Sequence, residues 1–320
     1  MESMSNIITI TLSPAVDKSA TVPVLIPDKK MKCSDPVFEP GGGGINVARA
    51  IRKLGGNALA LYLAGGNTGR YLTGMLKDEG IDTAQIETAS ETRENLSILD
   101  LSSGLQYRFG MPGAFIEPDE LKQLLGRVRA MGSLDYMVLS GSVPPGVPKD
   151  IFARLASIGK EKGARVVLDT SGEALREGAH EGVYLLKPNM AEISALMGEE
   201  KMNDMAVEDM AYGLLERGNC EILLLSMGAG GALLLTREET IRLSSPALKV
   251  RSTVGAGDSM VAGMVYSLSL GKTAEEAAKY AVACGAAATM NPGTELCKRT
   301  DVDRLIHRVH CHRIRQRVNQ

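Results

Sequence analysis

Val37-Phe38-Glu39-Pro40-Gly41-Gly42-Gly43-Gly44-Ile45-Asn46-Val47-Ala48-Arg49-Ala50-Ile51 places four consecutive glycines directly before a segment of helical period. Within 46–54, Val47, Ile51 and Leu54 fall on one helical face and Gly55-Gly56 follows, which predicts a helix entered from a glycine run and ended by glycine. The four glycines clear every side chain from the approach, so a ligand can lie against backbone, and Asn46 can hydrogen-bond a hydroxyl. A flexible linker is also glycine-rich, but Pro40 on one side and an immediate helix on the other argue against one.

Outward from this run, apolar stretches bounded by Gly, Pro or Asp recur at 7–12, 58–63, 137–139, 166–168, 184–186 and 222–225, with helix-period segments between many of them. Such alternation predicts an α/β fold built on a mainly parallel sheet flanked by helices. One region breaks the rhythm. Asn95-Leu-Ser-Ile-Leu-Asp-Leu and Leu105-Gln-Tyr-Arg-Phe read as a β-hairpin turning at Ser102-Ser103-Gly104, and 20–38 lacks helical period. Together they predict a small antiparallel sheet standing off the main one, either a lid over a site or a surface for pairing with another subunit.

The chain has 320 residues, 44% hydrophobic and 23% charged, which allows a sizeable core. A net charge of -2 provides no basic field for nucleic acid or an acidic membrane surface, so an anionic substrate must be held by local charge. Cys33, Cys220, Cys284, Cys297 and Cys311 contain no CxxC pair, which suggests neither zinc nor a disulfide framework and fits a reducing cytoplasm. The opening Met1-Glu-Ser-Met-Ser-Asn lacks an export signal, and no apolar run reaches the roughly 20 residues of a membrane helix. The expectation is a cytoplasmic protein.

Ser252-Thr-Val-Gly-Ala-Gly-Asp-Ser-Met, followed by Val261-Ala-Gly-Met-Val, is the strongest local signal. The residues before Asp258 can turn tightly and present backbone N–H groups at a helix start as an anion hole. A carboxylate there can accept a hydroxyl proton as that hydroxyl attacks a γ-phosphoryl group. It can equally be a helix cap, stabilising by ~1 kcal/mol. Lys187-Pro-Asn-Met-Ala-Glu192 sets Asn189 and Glu192 one helical turn apart, suited to the water shell of Mg²⁺ or to a capping box, or to both. Leu225-Ser-Met-Gly-Ala-Gly-Gly-Ala232 is a strand end with a glycine turn, suitable for nucleotide contact. Lys29, Lys30, Lys32, Arg93 and Arg108 lie in or beside the proposed lid as sources of positive charge, and Asp17 ends the first strand region. Gly271-Lys-Thr273 is no phosphate loop, since Tyr266 stands where that motif needs glycine. Gly255-Ala-Gly257 does not continue into a dinucleotide fingerprint, because position 260 is Met. His307, His310, Cys311 and His312 sit in an Arg-rich terminal pattern that reads as a solvated helix face.

The order of GGGGIN, KPNxxE and STVGAGDSM along essentially the whole chain resembles the ribokinase-like (PfkB) carbohydrate kinases. The longer strings PVFEPGGGGINVARAI, SGSVPPG, DTSGEAL and STVGAGDSM are most similar to members of that family that phosphorylate fructose 6-phosphate. The resemblance implies one three-layer α/β/α domain over 1–320. A β-lid formed by about 17–37 and 93–110 would pair two subunits as a homodimer. It implies a glycolytic transfer of the ATP γ-phosphate to the 1-hydroxyl of fructose 6-phosphate, with Asp258 as base and Gly255, Ala256 and Gly257 as anion hole. The rivals are tagatose-6-phosphate and fructose-1-phosphate phosphorylation, or a catalytically silent sugar-phosphate-binding regulator. Carried residue by residue, Asp17, Gly42, Gly43, Gly44, Ile45, Asn46, Arg93, Arg108 and Ser142 hold the sugar phosphate, and Lys30 reaches between substrate and nucleotide. Lys187, Asn189, Ser226, Gly228, Gly231, Thr253, Val254, Gly255, Ala256 and Gly257 line the ATP side, and Glu192 orders Mg²⁺ through water. Ser252, Val254, Asn291 and Gly293 match a K⁺ site, from which Glu295 departs by standing where a basic residue is expected.

Overall fold

The computed structural model describes residues 6–198 and 204–316. In chain order it runs β1 (Ile7–Thr11), β2 (Ala15–Val22), β3 (Val37–Gly41), α1 (Gly43–Leu54), β4 (Leu59–Ala64), α2 (Gly66–Asp78), β5 (Asp82–Glu87), β6 (Arg93–Asp100), β7 (Gln106–Phe109) and α3 (Pro118–Ala130). It continues β8 (Tyr136–Ser140), α4 (Ile151–Glu161), β9 (Arg165–Asp169), α5 (Gly172–Glu181), β10 (Val183–Leu186), α6 (Met190–Met197), α7 (Asp204–Glu216), β11 (Cys220–Ser226), β12 (Ala232–Leu235), β13 (Glu239–Leu243), α8 (Ala256–Ser269), α9 (Ala274–Thr289), α10 (Arg299–Leu305) and β14 (Cys311–Gln316).

The apolar runs become strands because each is covered on both faces, which removes the polar alternation of a half-exposed strand. In β8, Tyr136 and Val138 face one core while Met137 and Leu139 face the other. The first core is closed by α1, α2, α8, α9 and α10, the second by α3 to α7. Among the described residues ten strands form the central sheet, in the order β14-β13-β12-β11-β10-β9-β8-β1-β4-β5. It is parallel from β11 to β5 and antiparallel from β11 to β14. The expected layered α/β/α architecture is therefore present. No helix among the described residues is long and apolar enough to cross a membrane.

A second sheet stands off the first, in the order β3-β2-β6-β7. It is not the purely antiparallel sheet the sequence suggests, since β2 and β6 pair in parallel. Both strands continue from the carboxyl ends of parallel strands, β1 and β5, so they leave the main sheet in the same direction. The β6–β7 connection is also longer than the three-residue turn expected. Asp100 folds back to accept the Ser102 N–H and hydroxyl, and the strand restarts only at Gln106.

The C-terminal region corrects a second expectation. His307 lies in a short 3₁₀ turn, but Cys311 and His312 belong to β14, an edge strand on β13 rather than a helix face. The pairing is held by side chains that helical periodicity does not weigh: Arg313 joins both Glu239 and Glu275, and Arg315 lies over the Tyr212 ring.

Candidate active site

The polar residues at the ends of the buried strands gather at one edge of the main sheet, the carboxyl edge, where open α/β sheets place their ligands. β1 ends at Thr11, β8 at Ser140, β9 at Asp169, β11 at Ser226, and Lys187 follows β10. The glycine run delivers α1 into the crevice between β1 and β8. Ile45 N–H donates to Thr11 Oγ1 at 2.8 Å, and a Cβ on Gly43 would come within 2.3 Å of Ser140 Oγ, so only glycine allows that approach. The segment 41–44 is thus a packed entry to the helix.

α1 in turn carries Asn46, a buried residue whose Nδ2 donates to Asp258 Oδ2 at 2.9 Å. Arg49 supports it from one turn on, with a 3.5 Å contact to Asn46 Oδ1, a 2.8 Å bond to the Pro40 carbonyl and a two-pronged pair with Glu79. Asp258 stands in the first turn of α8, whose N-cap Gly255 adopts φ 74, a left-handed conformation suited to glycine. No side chain caps this helix. Among the described residues the N–H groups of Gly255, Gly257 and Asp258 have no partner, and that of Ala256 makes only a 3.5 Å contact with the Thr253 carbonyl. Such N–H groups at a helix start form a ready cradle for an anion. Burial, reinforced by the charge of Asp169 and opposed by Asn46 and Lys187, pushes the Asp258 carboxyl up to about 7. A carboxyl titrating there is matched to proton transfer near neutrality.

On one side of this turn opens a cavity of about 640 Å³. Of the residues expected on the nucleotide side, Lys187, Asn189, Ser226, Gly228, Gly231, Thr253, Ala256 and Gly257 line it. Its remaining wall is largely apolar, including Leu248, Val250, Val282 and Ala286, and suits the flat face of a base. Lys187 is buried, with Nζ 3.0 Å from Asp169 Oδ1. Burial alone would lower its basicity, but Asp169, with Glu192 and Asp258 beyond it, raises it overall. Asn189 and Glu192 form a capping box on α6: Asn189 Oδ1 accepts the Glu192 N–H and Glu192 Oε2 accepts the Asn189 N–H, both at 2.9 Å. Burial nevertheless raises the Glu192 carboxyl, against the pull of the Asn189 N–H and Lys187. Among the described residues no cluster of three His, Cys, Asp or Glu could cage a metal. Asp169, Glu192 and Asp258 around a single Lys187 fit a divalent ion held mainly through water and phosphate oxygens.

On the other side, a cavity of about 210 Å³ lies under the small sheet, lined by Asp17, Asn95, Arg108, Val254, Gly293 and Thr294 among others. Val254 therefore faces this cavity while Thr253, Ala256 and Gly257 face the larger one, and the α8 turn divides the two. Asn95 Nδ2 donates to Asp17 Oδ1 at 2.8 Å, and burial raises the Asp17 carboxyl, countered by that bond and by Arg93 and Arg49 and aided by Glu39. Arg93 is half-buried and turned inward, donating to the Met111 and Ser13 carbonyls, with Nε lacking a partner among the described residues. Ser142 is exposed on the loop after β8. Lys29, Lys30 and Lys32 lie largely exposed between β2 and β3, and Lys30 lines neither cavity. Among the described residues none of the carbonyls of Ser252, Val254, Asn291 and Gly293 accepts a hydrogen bond, which leaves oxygens free for a hard cation. Glu295 pairs with Lys298 at 2.7 Å.

Sequence reasoning missed Asp169, Thr11, Ser140, Asn95 and Glu39. Asp169 and Thr11 stand at or near the ends of runs read correctly as strands, and the rule that ligands gather at carboxyl ends of parallel strands would have found them. Asn95 and Glu39 carry no local signal.

The model of the pfkB family carbohydrate kinases matches residues 5–301. The chain is 43% identical to the ATP-dependent 6-phosphofructokinase isozyme 2 of Escherichia coli over 94% of its length and 98% of that protein. It is 34% identical to the 1-phosphofructokinase of Bacillus subtilis over 90% of its length and 95% of the relative. The crystal structure of Escherichia coli phosphofructokinase-2 in complex with potassium superposes with a TM-score of 0.92 at 42% identity, covering 95% of this chain and 99% of the other. With a match this long and a site divided by the α8 turn, the chain belongs to the PfkB family of carbohydrate kinases.

Proposed function

We propose that this kinase transfers the γ-phosphoryl group of ATP to the 1-hydroxyl of fructose 6-phosphate, giving fructose 1,6-bisphosphate. The observation that carries this reading is Asp258, held by Asn46 in the first turn of the helix whose start divides the two cavities, its carboxyl pushed up to about 7. The sugar phosphate lies under the small sheet with its hydroxyls toward Asp17 and Asn95 and its phosphate toward Arg108 and Arg93. ATP lies in the larger cavity, its base against the apolar wall and its phosphates toward Lys187 and the unpaired N–H groups of the α8 turn. The 1-hydroxyl donates its proton to Asp258 while its oxygen attacks the γ-phosphorus in line, the bond from that phosphorus to the β–γ bridging oxygen breaks and ADP leaves, and the N–H groups stabilise the charge that develops on the phosphoryl oxygens. Asp169 and Glu192 would hold Mg²⁺ through its water shell, and the ion would supply neutralisation of phosphate charge. Potassium is the expected occupant of the four free carbonyls, because the Escherichia coli relative binds it and because Lys298 offsets the charge of Glu295.

The identity to a 6-phosphofructokinase exceeds that to a 1-phosphofructokinase, which favours fructose 6-phosphate over fructose 1-phosphate. A coupled ADP-release assay with fructose 6-phosphate, fructose 1-phosphate and tagatose 6-phosphate tests the reading. The expected result is the highest kcat/KM for fructose 6-phosphate. A preference for either rival replaces the substrate, and no ADP above background with any of them favours a silent binding protein.

The small sheet is proposed to act as lid and as dimer surface. Leu101 and Leu105 at the β6–β7 connection are each 59% exposed, and Tyr107 and Phe109 stand on the free edge of β7. A doubly substituted Leu101→Asp/Leu105→Asp protein should sediment as a monomer where the unaltered protein sediments as a dimer. Equal sedimentation of the two at the dimer position would move the interface elsewhere.

A further inference from the structure

Glu39 sits directly opposite Asp17 in the β2–β3 pair, so both carboxylates project from the same face of the small sheet. Asp17 lines the sugar-side cavity. Glu39 reaches the loop 291–296 instead, where its Oε2 accepts the Thr294 N–H at 3.0 Å and the Thr294 hydroxyl at 2.7 Å. A Cβ on Gly293 would come within 2.9 Å of the same oxygen, so the loop backbone is pressed against it. Bonds from two donors to one carboxylate oxygen are charge-assisted and fix direction as well as distance.

The other flank of the loop bears on the turn that opens α8. A Cβ on Gly255 would meet Leu296 at 2.7 Å and the Thr294 carbonyl at 3.8 Å. Asn291, itself buried, donates to the Leu296 carbonyl at 3.1 Å and closes the loop upon itself. Thr294 therefore touches the small sheet through its N–H and hydroxyl while its carbonyl faces the α8 turn. The two groups that must meet, a sugar hydroxyl held by the sheet and a phosphoryl group held by the turn, are placed by elements from opposite ends of the chain. Glu39 to Thr294 is a direct tie between them.

We propose that Glu39 is a positioning residue that sets the sugar-holding face of the small sheet in register with the Asp258 turn through Thr294. Its kinetic consequence rests on the phosphoryl-transfer reading above; its structural consequence does not. Misplacement of a reacting group by about 1 Å costs on the order of 10²-fold. Glu39→Ala should accordingly lower kcat/KM for the sugar phosphate by roughly 10- to 100-fold while KM for ATP stays close to that of the unaltered protein. Glu39→Gln offers an amide oxygen to the same two donors and should recover most of the rate, which general destabilisation would not predict. Hydrogen exchange on the substrate-free protein gives a readout independent of turnover. Glu39→Ala should speed exchange both in the peptide containing Thr294 and in the peptide spanning 253–257, and Glu39→Gln should leave both slow. Unchanged exchange in both peptides of Glu39→Ala overturns the proposal whatever the substrate proves to be. So does a Glu39→Gln protein as impaired as Glu39→Ala, because charge rather than registration would then be at work. Absence of turnover in the unaltered protein counts against the proposed reaction and leaves the exchange result to decide this one.

Discussion

Asp258→Asn is expected to lower turnover by roughly 10²- to 10⁴-fold, the range a positioned general base contributes, with nucleotide binding largely kept. The amide can still accept the Asn46 hydrogen bond, so the geometry of the turn should survive. A second effect has the opposite sign. The Asp258 carboxyl is raised from its ordinary value to about 7 in the folded protein, so the native state binds this proton more tightly than the unfolded chain does. That contribution to stability is complete below the unfolded value near 3.8 and is lost as pH rises through about 7. At pH 8 the unaltered protein therefore carries a strained, ionised carboxylate that the Asn variant lacks. The variant should unfold at higher urea there, by up to about 4 kcal/mol at 1.36 kcal/mol per pH unit, and at nearly the same urea at pH 4. The unaltered protein should show an acid limb in kcat/KM near pH 7, reporting the free enzyme. Near-normal turnover in Asp258→Asn would sink the assignment and leave the residue a helix-start carboxylate. A role confined to helix stability predicts loss, not gain, of stability at pH 8.

Lys187→Met should be the most destabilising single change in the site. Methionine fills much of the same volume but leaves Asp169 partly buried and without its partner 3.0 Å away. Removing one member of a buried pair costs about 3–5 kcal/mol. Some solvent access to Asp169 favours the lower end of that range, measurable by urea unfolding. The double variant Lys187→Met/Asp169→Asn should regain most of the loss, since the carboxylate that directly paired with the ammonium is then neutral as well. Lys187 also holds the Asp258 carboxyl down, so in Lys187→Met the acid limb of the rate profile should move to higher pH. A stable Lys187→Met protein with an unmoved profile would show that the ammonium is not coupled to the base.

The helix 46–54 was legible because its apolar spacing and flanking glycines are local, and the structure extends it back only to Gly43. The buried strands were legible for the same reason. Asn189 and Glu192 were readable as a capping box from three-residue spacing alone, and that box is formed. What the sequence hid was pairing between distant segments. Nothing near Asp169 names Lys187 as its partner, nothing near Glu39 points to Thr294, and the Arg-rich tail shows its strand character only against β13. The parallel β2–β6 pair was hidden likewise, because strand direction follows from where each leaves the main sheet. Local pattern fixes elements, while the chemistry of the site lives in contacts that loop closure must bring together.

The Asn46–Asp258 bond joins residues 212 positions apart, and the Glu39–Thr294 bond spans 255. Contacts of such separation form late, after sheet and helices built from nearer neighbours. During synthesis or refolding, Asp258 lacks Asn46 and the burial that shifts it, and its carboxyl behaves as an ordinary acid. A complete but unfolded chain therefore carries every residue of the proposed site, yet its Asp258 carboxyl takes on its shifted character only once Asn46 and the burial around it are in place.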